Sequence, residues 1–276
     1  MYIVDLIHPV RKFELQTHSI EELSSSLGIS KEELEEKNSW LNINDEWYYF
    51  KRINQLEKII NELLGTYLAN MLGVKTVNYE IAKVDDCYGL LSKNFRQKGK
   101  TYVTTYDLDL RLCPNGLSNI EEVRAYFKDD IKYRKFILSL LKSVAIDYYM
   151  NQIDRVNENM LFVKNEDSLE LANLFDFGLS MNVSLSGMKK MEDEKVRHLY
   201  TAFLSLAFPS PEVDELFKKY PEFETYLNTL LGFNMSYFLN QLERNYPLAI
   251  PRKVKNDYIE YDTNKKEHIK VLKKRV

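Results

Sequence analysis

A chain of 276 residues with a net charge of −3, 45% hydrophobic and 29% charged, can bury a substantial core as one large domain or two lobes. The mild negative balance argues against wholesale nucleic-acid binding. Two cysteines, Cys87 and Cys113, are too few for a disulfide framework, and the scattered His8, His18, His198 and His268 speak against a zinc site. No run approaches the roughly 18 apolar residues of a membrane span, and MYIVDLIHPVRKF lacks a basic lead before a long apolar core, so a cytoplasmic protein is expected.

Residues 2–17 alternate loosely and predict an opening strand or hairpin. Ser19-Ile20-Glu21-Glu22 is a helix start, because the serine accepts from a free first-turn amide. A second start, Ser30-Lys31-Glu32-Glu33, follows Gly28, so 19–38 reads as two short helices decorating the main fold. This pair is similar to that of a LysM module or the first half of a helix-turn-helix. Glu32, Glu33, Glu35 and Glu36 make its face acidic and repelled by phosphate.

Trp47-Tyr48-Tyr49-Phe50-Lys51 is rich in aromatic β-formers and predicts a strand ending on a cation. A strongly periodic helix follows, with Leu56, Ile59, Ile60, Leu63, Leu64, Leu68 and Leu72 at the helical period and Gly73 at its end. Strand, lysine, helix is the order in which a kinase small lobe presents the lysine that grips the α- and β-phosphates, with a helix glutamate orienting it. At about 100° per residue Glu57 borders the apolar stripe, whereas Glu62 projects well away from it. Val77 to Val84 and Tyr88 to Leu91 predict a hairpin turning at Asp85-Asp86. No glycine-rich phosphate loop occurs anywhere, and Asn42-Ile43-Asn44-Asp45-Glu46 before the Lys51 strand has no glycine at all.

Helices dominate the second half. Ser118-Asn119-Ile120-Glu121-Glu122 resembles a capped start. Tyr133, Phe136, Ile137, Leu140, Leu141, Val144 and Tyr148 then form a stripe running toward Asp154. Asn159 follows Asp154, then two apolar runs around a polar turn at 164–168, then Asp176-Phe177-Gly178. Phosphoryl transfer from a nucleotide needs a carboxylate near the attacking hydroxyl. It also needs an amide oxygen and a second carboxylate to hold Mg²⁺ on the phosphates. Asp154, Asn159 and Asp176 have that chemistry in that order. Further helices are expected at 196–207, 213–220 and 222–245, the last broken near Gly232. From Pro251 the tail is rich in Lys and Arg, which reads as a solvated helix face, with steering of an acidic partner as the functional option.

Asp154-Arg155-Val156-Asn157-Glu158-Asn159 is similar to the D-R-H-x-x-N catalytic loop of HipA-like kinases and of phosphoinositide lipid kinases. Phe175-Asp176-Phe177-Gly178 resembles their metal loop. The resemblance covers roughly Trp47 to Ser180. It implies an α+β, two-lobed protein-kinase-like fold, with a small β-rich lobe at 1–92 and a larger helical lobe at 93–276. It further implies Asp154 as catalytic base, Asn159 and Asp176 as metal ligands, and Lys51 on the phosphates with Glu62 as its partner and Glu57 in reserve. The likeness of Gly89-Leu90-Leu91-Ser92-Lys93-Asn94-Phe95 to the hinge of these chains assigns adenine contacts to the backbone of Leu91, Ser92 and Lys93. The expected reaction is Mg²⁺-assisted transfer of the γ-phosphoryl of ATP to a protein Ser or Thr, with a regulatory protein partner conceivable. Val156 stands where most relatives have His and cannot make that imidazole's hydrogen bonds. Two rival readings are a small-molecule or lipid kinase and a catalytically inactive nucleotide-binding module.

Overall fold

The computed structural model describes residues 11–14, 16, 18–27, 29, 39–53, 55–104, 107–108, 122–152, 159–181, 217–246 and 248–274. The first half forms a five-stranded sheet with one long helix. Strand β1 (Arg11–Phe13) precedes helix α1 (Ile20–Leu27), whose start is capped as the sequence predicts, with Ser19 Oγ accepting from Glu22 N–H at 3.1 Å. The expected second decorating helix falls outside the described residues. Strands β2 (Trp40–Ile43) and β3 (Glu46–Arg52) form a hairpin, then come α2 (Leu56–Met71), β4 (Tyr79–Val84) and β5 (Cys87–Lys93). The sheet order is β1-β4-β5-β3-β2, with β1 parallel to β4 and the other pairs antiparallel. Asn44 and Asp45, at φ 54° and 63°, make the β2–β3 turn. Both central residues of a tight right-twisted hairpin need positive φ, and Asn and Asp tolerate it best after glycine. A short polar turn thus occupies the stretch that lacks a glycine-rich loop.

The second half is mainly helical. Strand β6 (Thr101–Thr104), which the sequence did not predict, adds to the expected hairpin of β7 (Leu161–Lys164) and β8 (Leu169–Leu171) to make a three-stranded sheet. The long helix α3 (Asp130–Met150) is capped by Asp129, which accepts from Lys132 N–H at 2.8 Å. Its start is therefore distinct from the predicted Ser118 start. Ser118 falls outside the described residues, and a 3₁₀ turn at Glu122–Tyr126 intervenes. Helices α4 (Pro221–Leu231) and α5 (Met235–Asn245) break at Gly232 as predicted, and α6 (Arg252–Lys273) closes the chain. The helix predicted over 196–207 and the first half of that over 213–220 lie outside the described residues, while 217–219 are helical as predicted.

One apolar core runs through both halves. Ile81 and Leu90 of the sheet, Ile60 and Leu64 of α2, Leu141 and Val144 of α3, and Ile269 and Leu272 of α6 belong to it. The tail does carry a solvated basic face, with Arg252, Lys253, Lys270 and Lys274 exposed, but α6 also buries Tyr258, Tyr261, Asp262, Lys265, Ile269 and Leu272. Their spacing of three and four residues is helical, but alternating Lys, Asp and Glu disguise it in a linear reading. Among the described residues no helix is long and apolar enough to cross a membrane.

Candidate active site

Lys51 lies near the end of β3, paired with Leu90 of β5, and its ammonium enters the space between the sheet and α2. It donates to Glu62 Oε1 at 2.5 Å and also pairs with Asp176 Oδ1. Glu62 is fully buried (0% exposed), and every oxygen lone-pair direction is used. Oε1 accepts from Lys51 and from Gly178 N–H at 3.1 Å, while Oε2 accepts from Phe177 N–H at 2.8 Å and from the Tyr79 hydroxyl at 3.2 Å. A buried carboxylate is tolerable only when so compensated. Burial pushes the Glu62 carboxyl upward, and the Lys51 charge pulls it back. Burial alone would lower the Lys51 ammonium, but the Glu62 and Asp176 carboxylates outweigh it and raise it overall, so the cation persists at neutral pH.

The helical-wheel geometry that turned Glu62 away from the interior is overturned, and it is Glu62, not Glu57, that pairs with Lys51. The helical-wheel argument assumed that α2 has one buried stripe. In fact Asn61 and Glu62, next to each other and about 100° apart, are both 0% exposed, because α2 is enclosed by the metal loop as well as by the sheet and helices.

Asp176 sits at φ 59°, a left-handed conformation uncommon for residues other than Gly and Asn, at the point where the chain must turn its carboxylate toward Lys51. The segment before it is stitched to the link between α2 and β4. Val77 N–H donates to Leu174 O at 3.1 Å, Leu174 N–H to Lys75 O at 2.9 Å, and Asn173 Nδ2 to Thr76 O at 2.9 Å. After it, Phe177 is fully buried against α2 at Gly65, where a Cβ would stand only 2.1 Å from the ring. Gly65 is thus the residue that lets the Phe177 ring pass. The linear signal was available, since an isolated glycine inside a strong helical pattern costs about 1 kcal/mol and usually marks close packing.

Gln152, also 0% exposed, ties the end of α3 to the loop around Asp176. Its Nε2 donates to Asp176 O at 2.5 Å, and its Oε1 accepts from Ser180 Oγ at 3.0 Å. Met181 N–H donates to Met150 O at 2.7 Å. Neither Gln152, Tyr79 nor Asn61 carries a signal readable in one sequence. Asp154, together with Val156, lies outside the described residues, and Asn159 is buried immediately before β7.

Of the residues whose backbone the hinge likeness assigns to adenine, Leu91 and Ser92 sit inside the sheet and Lys93 ends strand β5. Leu91 and Ser92 lie between β3 and β4, paired with Phe50 and Glu80, and with Tyr49 and Tyr79. Their backbone groups are therefore engaged in the ladder. Asn94 N–H donates to Trp47 O at 2.8 Å, so by alternation the Lys93 amide and carbonyl face the other side, past the end of β4. Open backbone on this strand begins at Lys93.

No group of three or more His, Cys, Asp or Glu side chains suited to a metal occurs among the described residues. Mg²⁺ needs no such group, because it usually takes one or two protein oxygens and completes its shell with phosphate and water. Asp176, with 27% of its side chain exposed, can supply such an oxygen.

No family model matches the sequence, and no curated protein does. The structure is similar to that of the Helicobacter pylori proinflammatory kinase CtkA, with a TM-score of 0.56 and 15% identity over 86% of this chain and 92% of that one. It is also similar to HipA of the Shewanella oneidensis toxin–antitoxin system, solved with HipB and operator DNA. There the TM-score is 0.52 at 12% identity, over 81% of this chain and 57% of that one. A curled five-stranded sheet bearing Lys51, a following helix bearing Glu62, and a helical half delivering Asp176 are thus the parts of a HipA-like kinase fold, which is the fold of this chain.

Proposed function

We propose that the chain is an ATP-dependent kinase that moves the γ-phosphoryl of ATP to a Ser or Thr hydroxyl of a protein. The observation that carries this reading is the buried Glu62 carboxylate, which holds the Lys51 ammonium and the Phe177 and Gly178 amides at once. A strand, the helix that follows it and a loop 115 residues further on are thereby locked around the Lys51–Glu62 pair, the preorganisation that phosphoryl transfer requires.

In this mechanism Lys51 neutralises the α- and β-phosphates, and Glu62 keeps it aimed. Asp176 and Asn159 would hold Mg²⁺, which would supply neutralisation of the phosphate charge. The adenine edge meets backbone from Lys93 onward, near the boundary of the two lobes at residue 92. Asp154 orients the acceptor hydroxyl and takes its proton. The acceptor oxygen gains the bond to the γ-phosphorus as the bond to the bridging oxygen breaks, releasing ADP. The assignment of Asp154 rests on the Asp154-to-Asn159 motif. One structural neighbour is described as a kinase, which supports phosphoryl transfer here, and the other as HipA of a toxin–antitoxin system together with HipB, which supports a regulatory protein partner.

The test is incubation of the purified chain with γ-labelled ATP and Mg²⁺, alone and with a mixture of candidate proteins, beside Asp154→Ala and Asp176→Ala. Label transferred by the wild type and by neither variant supports the reading. Nucleotide binding without transfer under Mg²⁺ or Mn²⁺ overturns it in favour of an inactive binding module.

A further inference from the structure

The carbonyl side of the metal loop is held by a residue that the reaction chemistry does not require. Asn61, next to Glu62 on α2, is 0% exposed, and its Nδ2 donates to Ser180 O at 2.6 Å and to Gly178 O at 3.3 Å. Consecutive residues of one helix therefore grip the loop from both polarities, Glu62 through the Phe177 and Gly178 amides and Asn61 through the two carbonyls. Asn61 Oδ1 in turn accepts from the Tyr258 hydroxyl at 2.7 Å, and that hydroxyl also lies 3.1 Å from Glu57 O. Tyr258 belongs to α6 and is 2% exposed. The contact joins residues separated by 197 positions.

We infer that Tyr258 and Asn61 are positioning residues for the metal loop, through which the carboxy-terminal helix sets the placement of Asp176. The physical reason is the cost of an unmet buried acceptor. Without the Tyr258 hydroxyl, Asn61 Oδ1 has no donor among the contacts described, a penalty that drives the amide to seek another partner and away from Gly178 O and Ser180 O. Glu62 alone then constrains the loop, from its amide side only. The neighbouring α6 residue Tyr261 lies one turn away and donates instead to Tyr149 O at 2.8 Å. It is therefore an internal control for simple loosening of α6.

This inference rests on the kinase reading only where it names Asp176 as the metal-holding group, and its first readout needs no activity. Hydrogen–deuterium exchange over 176–181 is compared in nucleotide-free wild type, Tyr258→Phe, Tyr261→Phe, Asn61→Leu and the Tyr258→Phe/Asn61→Leu double variant. Exchange about tenfold faster in Tyr258→Phe than in both wild type and Tyr261→Phe, with no further gain when Tyr258→Phe is added to Asn61→Leu, is the expected result. Unchanged exchange in Tyr258→Phe, or equal acceleration in Tyr261→Phe, overturns the inference. In the phosphotransfer assay Tyr258→Phe lowers kcat about tenfold and leaves the KM for ATP within about twofold, because the loop, not the nucleotide grip, is disturbed. Absence of transfer by the wild type defeats the kinase reading alone, and the exchange comparison still decides the positioning role.

Discussion

Substituting Glu62→Gln is the sharpest perturbation of the proposed site, because it keeps the side-chain shape and removes the charge. All four partners of the carboxylate are donors: Lys51, Gly178 N–H, Phe177 N–H and the Tyr79 hydroxyl. A glutamine must point its NH₂ at two of them. The less costly orientation faces Tyr79, whose hydroxyl can turn and accept, and leaves the Phe177 amide without an acceptor. One unmet buried amide costs about 1–3 kcal/mol, and loss of a charged partner to Lys51 about 1.5–3 kcal/mol. Asp176 still holds Lys51, so the lower half of the combined range applies, about 2.5–4 kcal/mol. If that falls on the transition state, kcat/KM drops about 70- to 1000-fold. Steady-state phosphotransfer measures this, with circular dichroism melting to confirm that the variant is folded. A folded Glu62→Gln variant within about threefold of wild type would refute the reasoning, since Glu62 would then not be aiming Lys51.

Gly65→Ala places a methyl where the Phe177 ring sits, so despite the better helix propensity of alanine it should lower stability by about 1–3 kcal/mol and displace the metal loop. Combining it with Phe177→Leu should recover part of both losses in melting and activity assays, and failure of any recovery would show that the contact is not the cause. Tyr79→Phe removes one of four donors to Glu62 and should cost about three- to tenfold in kcat/KM, read in the same assay. Lys265 supplies a pH prediction. Burial pushes its ammonium down to about 7 from the usual 10.5, and its Nζ lies 2.9 Å from Asn151 Oδ1 at the end of α3. Between those values the unfolded chain binds a proton that the folded chain does not. Folding stability therefore rises with pH through this window, by up to about 1.4 kcal/mol per unit. Urea melts from pH 6 to 10 should show this rise in the wild type and its loss in Lys265→Met; parallel profiles for the two would refute it.

How legible the protein is in one dimension differs by element. The α2 stripe, the β4–β5 turn at Asp85 and the break at Gly232 are local events, set by periodicity and by residues that tolerate a turn, and each lies where the sequence predicts. The β2–β3 hairpin was harder, because Asn44-Asp45 reads as a weak turn without the glycine usually sought. Strand β6 carries only four residues and owes its place to pairing with β7, which no local pattern announces. Leu91 and Ser92 illustrate a similar limit, since whether a backbone amide is free depends on which strands flank it.

By itself the sequence determined which side chains have chemistry suited to a phosphate and a metal, and roughly where strand, helix and loop present Lys51, Asn159 and Asp176, because residue type and local periodicity are properties of the chain. Only the tertiary structure decided that Glu62 lies inside, that Gly65 makes room for Phe177, and that a tyrosine near the carboxy terminus reaches Asn61. Each of these depends on what the far side of α2 meets when the two halves close on it. Burial on a second face, and the hydrogen bonds it then demands, arise between segments and have no period along any one of them.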